Sequence, residues 1–234
     1  MSQEVPATAP KLSDLVDEPV VLRLGTVGST QDAARGLAIG SLVTASHQLS
    51  GRGRLDRRWE APPGSALLVT FVTRPHAMAS LAAGVAVAEA CGPELRLKWP
   101  NDLRWEGRKL AGILVEAGFG RCLVGIGINL TWAPEGGAML GPVDPEALLE
   151  MVRTGLDRWL AEPPDLMLRR WRELSDTLGR LVRVEIGRET LTGIAEAIDA
   201  DGSLIVSGRA VSAGEITHLR ALEGEAEPLR TDRG

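Results

Sequence analysis

Cysteine and histidine are scarce in this 234-residue chain, two and three residues respectively, and neither is arranged for redox or metal chemistry. Cys91 and Cys122 stand in apolar settings with no CxxC or Cys/His spacing, which points to buried thiols rather than a disulfide or a zinc site. His47, His76 and His218 have no partner at ligand spacing and GxSxG is absent, so neither a metal-histidine centre nor a serine triad is assigned. The GxxxxGK phosphate-loop signature is missing as well. No apolar run approaches the ~20 residues that span a bilayer. Residues 1–19 lack the basic start and apolar stretch of a signal peptide, so the expected location is the cytoplasm. Positive charge is not in surplus either: 26 Lys and Arg against 31 Asp and Glu leave a net charge of −5. That balance argues against broad binding to nucleic acid or membrane, which select a basic face, and any anion recognised is small.

What is present fits an ordinary globular protein. The length suits one large domain, or a large one with a small appendage, and 44% hydrophobic with 24% charged residues is the composition of a soluble fold. Residues 1–19 read as a loose leader. Residues 20–24 read as a strand, and Gly28-Ser29-Thr30 as a turn whose Ser29 or Thr30 caps a helix over 31–39. A short apolar run at 42–45 leads into a glycine and arginine loop, and 66–72 has the content of a buried strand. An alanine-rich helix over 77–91 ends at Gly92-Pro93, and further strands are expected at 95–99, 109–117 and 121–130. Residues 144–178 carry apolar positions at helical spacing broken by Pro163-Pro164, which predicts a pair of helices. Residues 181–186 then alternate, and Asp201-Gly202 divides two more strand-like runs. The expected fold is α/β (α+β): a mixed sheet flanked by helices over 20–178, a small β domain over 179–222, and an acidic tail at 223–234.

Two stretches concentrate the chemistry. In Gly51-Arg52-Gly53-Arg54-Leu55-Asp56-Arg57-Arg58-Trp59, four arginines crowd into seven positions of a chain whose net charge is negative. The glycines permit close backbone approach, and planar guanidiniums suit carboxylate or phosphate. The plain alternative is a solvated basic loop. In Lys98-Trp99-Pro100-Asn101-Asp102, a cation and a rigid turn precede an amide and a carboxylate able to hold Mg²⁺ through oxygen; the plain alternative is an Asx turn between strands. Lys109 opens the strand that runs through Gly112, so its ammonium leaves the core edge where it can meet an anion or simply be solvated. Gly125-Ile126-Gly127-Ile128-Asn129 lacks the third glycine and the following helix of a dinucleotide fingerprint.

Taken together, and in this order, these stretches resemble the biotin protein ligases. The likeness spans about residues 22–132 and rests on Gly28-Ser29-Thr30-Gln31, Gln48 with the arginine loop and Trp59, Lys98 to Asp102, Arg108 to Glu116, and Gly125 to Asn129. The small β domain is similar to that family's SH3-like C-terminal domain. The resemblance implies that Ser29, Thr30, Gln31 and Gln48 contact biotin, with Gly112 and Gly125 in the same pocket. It implies that Gly51, Arg52, Gly53 and Arg54 fold over biotin and the adenylate, and that Lys109 meets the biotin carboxylate and the α-phosphate. Lys109, Arg52 and Arg54 are thereby the catalytic cations. Arg57, Trp59, Lys98, Asn101, Asp102 and Asn129 fall on the nucleotide side, with Asp102 toward Mg²⁺. Three positions depart from the common pattern: Leu55 and Asp56 in the loop, and Gln31 where Asn is usual.

The implied substrates are biotin and Mg-ATP, with no tightly held prosthetic group, and the implied acceptor is a lysine of a biotin carboxyl carrier domain. The exposed sheet edges are compatible with a homodimer. Three other readings stand beside this one: a lipoate or octanoate ligase or transferase of related fold, a biotin-responsive repressor, and a biotin-binding module without catalysis. The roughly 20 residues ahead of the first strand are fewer than a DNA-binding domain needs, which favours a monofunctional ligase.

Overall fold

A computed structural model describes residues 18–55, 57–212 and 214–218. Most of the leader, Asp56, the end of the small β domain and the acidic tail therefore lie outside the described residues. Strand β1 (Val21–Val27) and helix α1 (Thr30–Ala34) lead to β2 (Leu42–Gln48) and β3 (Ala66–Thr73). Helix α2 (Ala79–Cys91) follows, then β4 (Arg96–Lys98), β5 (Asp102–Trp105), β6 (Arg108–Gly118) and β7 (Arg121–Asn129). Helices α3 (Pro145–Ala161) and α4 (Pro164–Leu174) precede five short strands, β8 (Leu181–Ile186), β9 (Glu189–Ile198), β10 (Leu204–Val206), β11 (Arg209–Val211) and β12 (Glu215–His218).

The first sheet has the order β1-β2-β3-β7-β6-β5-β4. Only β1 and β2 run parallel, joined by the α1 crossover; every other pairing is antiparallel. Because successive strand residues point to opposite faces, Leu67, Val69, Phe71, Val124, Ile126 and Ile128 meet α2, α3 and α4 in the main core, whereas Val43, Val72 and Leu123 pack with Ala34 of α1 on the other face. Helix α2 is apolar nearly all round because it is sandwiched between the sheet and the outer helices. Its small residues let α3 approach so closely that a Cβ on Gly155 would lie 3.2 Å from the Cβ of Ala86.

The second sheet, β11-β10-β9-β8-β12, is antiparallel throughout, and its inward side chains join the same core as α2. Trp99 Nε1 donates to Gly202 O at 3.0 Å, and Arg172 Nη2 donates to Ile198 O at 2.9 Å. The small β unit is thus bonded to the turn that carries Lys98 to Asp102.

Three expectations need adjustment. Helix α1 ends at Ala34 rather than Ile39: Arg35 takes extended dihedrals and Gly36 has φ of 86°, so the apolar residues beyond belong to a turn. Strand β5 is an additional element, closed onto β6 by Glu106-Gly107, both at positive φ. Among the described residues the C-terminal unit has five strands where three runs were expected, since Ser207-Gly208 makes another tight turn. Cys91 and Cys122 are free, and burial pushes the Cys91 thiol up to about 12, which leaves it unreactive. Among the described residues no helix is long and apolar enough to cross a membrane.

Candidate functional site

On the α1 face of the large sheet lies a cavity of about 980 Å³, counted with its open mouth, lined by residues of the sheet, the arginine loop and the small β unit. The sequence Gly125-Ile126-Gly127-Ile128 explains why it is there. Its isoleucines fill the helix-side core, so its glycines leave the opposite face bare. Gly127 pairs across the strands with Gly112, which makes a flat floor.

One end is neutral and buried. Ser29 caps α1, its Oγ accepting from Gln31 N at 3.3 Å. Thr30 donates to Gln48 Oε1 from its amide at 2.8 Å and from Oγ1 at 3.0 Å, and Thr70 Oγ1 donates to Thr30 Oγ1 at 2.9 Å. Gln31 Nε2 donates to Leu114 O at 2.8 Å, while its Oε1 is buried with no protein partner. An unpaired buried acceptor costs about 1–3 kcal/mol, so this oxygen is suited to a ligand N–H. Gly125 makes room for that amide, since a Cβ there would come within 2.7 Å of Gln31 Nε2.

The loop closes over the floor as a small hairpin. Arg52 and Arg58 form an antiparallel bridge, Gly53 N donates to Arg57 O at 2.7 Å, and Trp59 N donates to Gly51 O at 3.0 Å. The Trp59 indole lies on the glycine pair: a Cβ on Gly127 would meet its Cε2 at 2.5 Å, and one on Gly112 its Cζ3 at 3.1 Å. Its Nε1 is buried without a protein partner.

The other end is charged. Lys109 Nζ sits 2.7 Å from Asp102 Oδ1 and 5.8 Å from the Trp59 ring centroid. Asn101 Nδ2 donates to Ile113 O at 2.8 Å, which turns Oδ1 toward Arg54 Nη1 at 3.2 Å. Arg54 Nη2 also reaches Gly214 O of the small β unit at 3.3 Å. Arg57 and Lys98 also line the cavity. Among the described residues no cluster of three His, Cys, Asp or Glu could hold a metal, so there is no ready-made cage. Asp102 and Asn101 still offer a carboxylate and an amide oxygen, the small donor set that suits Mg²⁺ arriving with phosphates.

The fold brings together most of the residues singled out in the sequence, but three stand differently from expectation. Asn129 does not line the cavity: it is 2% exposed and its Nδ2 donates to Ala138 O at 3.0 Å, strapping the segment after β7. Gly51 does not line it either; a Cβ there would lie 2.4 Å from Trp59 O, so its glycine serves the loop's base. Arg52 borders the cavity, yet its guanidinium fork is closed on Asp32 at 2.7 and 2.9 Å and on Glu116 at 3.3 Å rather than open to a substrate anion. Hydrogen bonding from Arg52 holds the Asp32 carboxyl below its ordinary range. Residues to which the sequence reading gave no role at the site are Asp32, Thr70, Leu114, Gly127 and Gly214. Only Gly127 carried a local signal, the alternation with isoleucine; the others meet their partners across distant segments.

The Biotin/lipoate A/B protein ligase family matches residues 26–132, and the Biotin protein ligase C terminal domain matches 177–219. A biotin–[acetyl-CoA-carboxylase] ligase of Mycobacterium tuberculosis is 36% identical over 227 residues, covering 80% of this chain and 83% of that protein. The enzyme of the same name from Paracoccus denitrificans is 34% identical over 212 residues, covering 76% and 88%. In fold, the biotin protein ligase from Aquifex aeolicus in complex with biotin and ATP superposes with a TM-score of 0.75 at 24% identity, over 86% of this chain and 99% of that one. With both domains matched in order and two ligases above 30% identity over most of their length, the chain belongs to the biotin protein ligase family.

Proposed function

We propose that this protein activates biotin with ATP to biotinyl-5′-AMP and then transfers the biotinyl group to a lysine of a biotin carboxyl carrier domain. The observation that carries this reading is a single cavity with a neutral hydrogen-bonding end and a cationic end, joined across the Gly112/Gly127 floor. Gln31, Thr30 and Gln48 suit the uncharged ureido ring, with Gln31 Oε1 as the acceptor for a ring N–H. The aliphatic tail crosses the floor beside Trp59 and delivers its carboxylate to Lys109.

A carboxylate oxygen then attacks the α-phosphorus, a P–O bond forms, and pyrophosphate leaves with the electrons of the broken bond. Two like charges 4 Å apart repel by roughly 4 kcal/mol at an effective dielectric near 20, so the site must offset that. Lys109 does so by exchanging Asp102 for the incoming anions, and Arg54 by exchanging the neutral oxygens of Asn101 and Gly214. Lys98 and Arg57 add charge to the cavity lining. Mg²⁺ bound with the nucleotide would supply further neutralisation of its phosphates, and the Asp102 and Asn101 oxygens would hold it. In the second step the acceptor amine attacks the acyl carbon of the mixed anhydride, an amide forms, the proton passes to solvent or base, and AMP leaves. The loop keeps water from the anhydride until then.

On this reading residues 20–178 carry the activation chemistry and the small β unit borders the nucleotide end through Gly214 and Ile216, in a cytoplasmic protein. The test is pyrophosphate release from Mg-ATP with and without biotin, followed by addition of a carrier domain. Biotin-dependent release that becomes multiple turnover with the carrier is expected. Release that depends instead on lipoate or octanoate overturns the substrate assignment.

A further inference from the structure

In the loop, the Arg52 side chain meets two carboxylates from separate elements. Asp32 comes from α1, immediately after the residues at the neutral end, and Glu116 from β6, two residues beyond Leu114. A second cation completes the cluster: Arg35 lies 3.1 Å from Asp32 and 2.6 Å from Glu116. The four groups therefore alternate in sign, and each carboxylate is shared between two guanidiniums. Arg52 also sits at the foot of the loop hairpin, bridged to Arg58, whereas Arg54 further along reaches Asn101 and Gly214.

Resting on the ligase reading, we infer that Asp32 and Glu116 are positioning residues: through Arg52 they latch the loop to α1 and β6 and so set how long the adenylate is retained. A fork closed bidentately on Asp32 does not neutralise the reacting anions, which leaves that task to Lys109 and Arg54 and gives Arg52 a mechanical one. The Asp32 carboxyl, held below its ordinary range chiefly by Arg52, is ionised throughout the neutral range, so the latch is charged whenever the enzyme works. Exposed ion pairs are individually weak, but a connected network at the foot of the loop adds up, and about 1.4 kcal/mol of it corresponds to a tenfold change in escape.

The test uses the full-length protein with Asp32→Asn and Glu116→Gln, which remove charge while keeping shape. Labelled biotinyl-AMP is formed in a single turnover and its escape is followed after a chase of unlabelled biotin. The expected result is about tenfold faster escape with an unchanged pyrophosphate burst, because the cations at the reacting atoms are untouched. Salt should accelerate escape from the wild type more than from the double variant. In an Arg52→Gln background, Asp32→Asn should add nothing further, since the latch is already open. Unchanged escape from the double variant, or fully additive effects of Arg52→Gln and Asp32→Asn, overturns the latch while leaving the ligase reading intact. Failure of the wild type to release pyrophosphate in response to biotin overturns the ligase reading, and the latch with it.

Discussion

The two ends of the cavity solve opposite problems. At the neutral end, Thr30, Gln31 and Thr70 are at most 4% exposed and are tied to Gln48 and Leu114 by bonds of 2.8–3.0 Å. At the charged end, the Lys109 side chain keeps 46% of its exposure and is paired with the protein's own Asp102. Apart from Gln31 Oε1, which is left for a ligand N–H, the hydroxyls and amides at the neutral end are satisfied in advance, because no water is there to take over a buried group's bond. A cation that must receive a substrate anion needs the reverse, a partner it can give up. Preorganisation is thus concentrated where the ligand is uncharged, and exchange where it is charged.

The sharpest break of that contrast is Lys109→Ala. Adenylate formation should fall by at least about a hundredfold. Because Lys109 is half exposed, the melting temperature should stay within about 2 °C of wild type. Near-normal pyrophosphate release from this variant would remove Lys109 from the chemistry. Next in size is the floor shared by the two ends: Gly127→Val places side-chain carbon where the Trp59 indole lies, and biotin affinity by calorimetry should drop about tenfold or more. Gly25→Ala is the control, since nothing lies within 4 Å of a Cβ there.

A smaller effect probes the neutral end alone. Thr30→Val strips the hydroxyl that accepts from the fully buried Thr70, leaving a group unpaired at a cost of about 1–3 kcal/mol. Both the melting temperature and biotin affinity should fall, which is the opposite split from Lys109→Ala; a drop in adenylation alone would contradict it. The smallest effect lies behind the charged end. His218 stands 3.3 Å from both Arg104 Nη1 and Thr177 Oγ1, and 3.9 Å from Asp176, where the small β unit meets the large sheet. Burial lowers its pKa from 6.5 to about 4, against the pull of Asp176 and with the push of Lys98, Arg104 and Arg180. The unfolded chain therefore binds a proton that the folded one refuses, so stability should decline as pH falls from about 6.5 toward 4. In thermal melts His218→Gln should flatten that slope; an identical slope would show that His218 does not report on this contact.

Part of this was legible along the chain. The strand at 66–72 and the helix pair broken at Pro163-Pro164 announced themselves through pattern and punctuation, and they appear as β3, α3 and α4. Strand β5 did not, because four residues with two charged side chains make no periodic signal, although Glu106-Gly107 beside it is a hairpin turn by composition. Helix α1 was read too long because apolar residues past Gly36 mimic helical spacing, while the positive φ that ends the helix is a property of the folded turn.

By itself, the sequence determined the alternation of glycine and isoleucine that bares the floor, the arginine-rich loop and the lysine at the strand's start. These are local facts, carried by residue type and spacing. Only the tertiary structure decided that Arg52 spends its charge on Asp32 and Glu116, 20 and 64 residues away, that Arg54 reaches Gly214 across 160 residues, and that Asn129 turns to Ala138 instead of the cavity. Those choices depend on which opposite charge or carbonyl the packed core brings within hydrogen-bonding distance, and a single chain's sequence does not encode that distance locally.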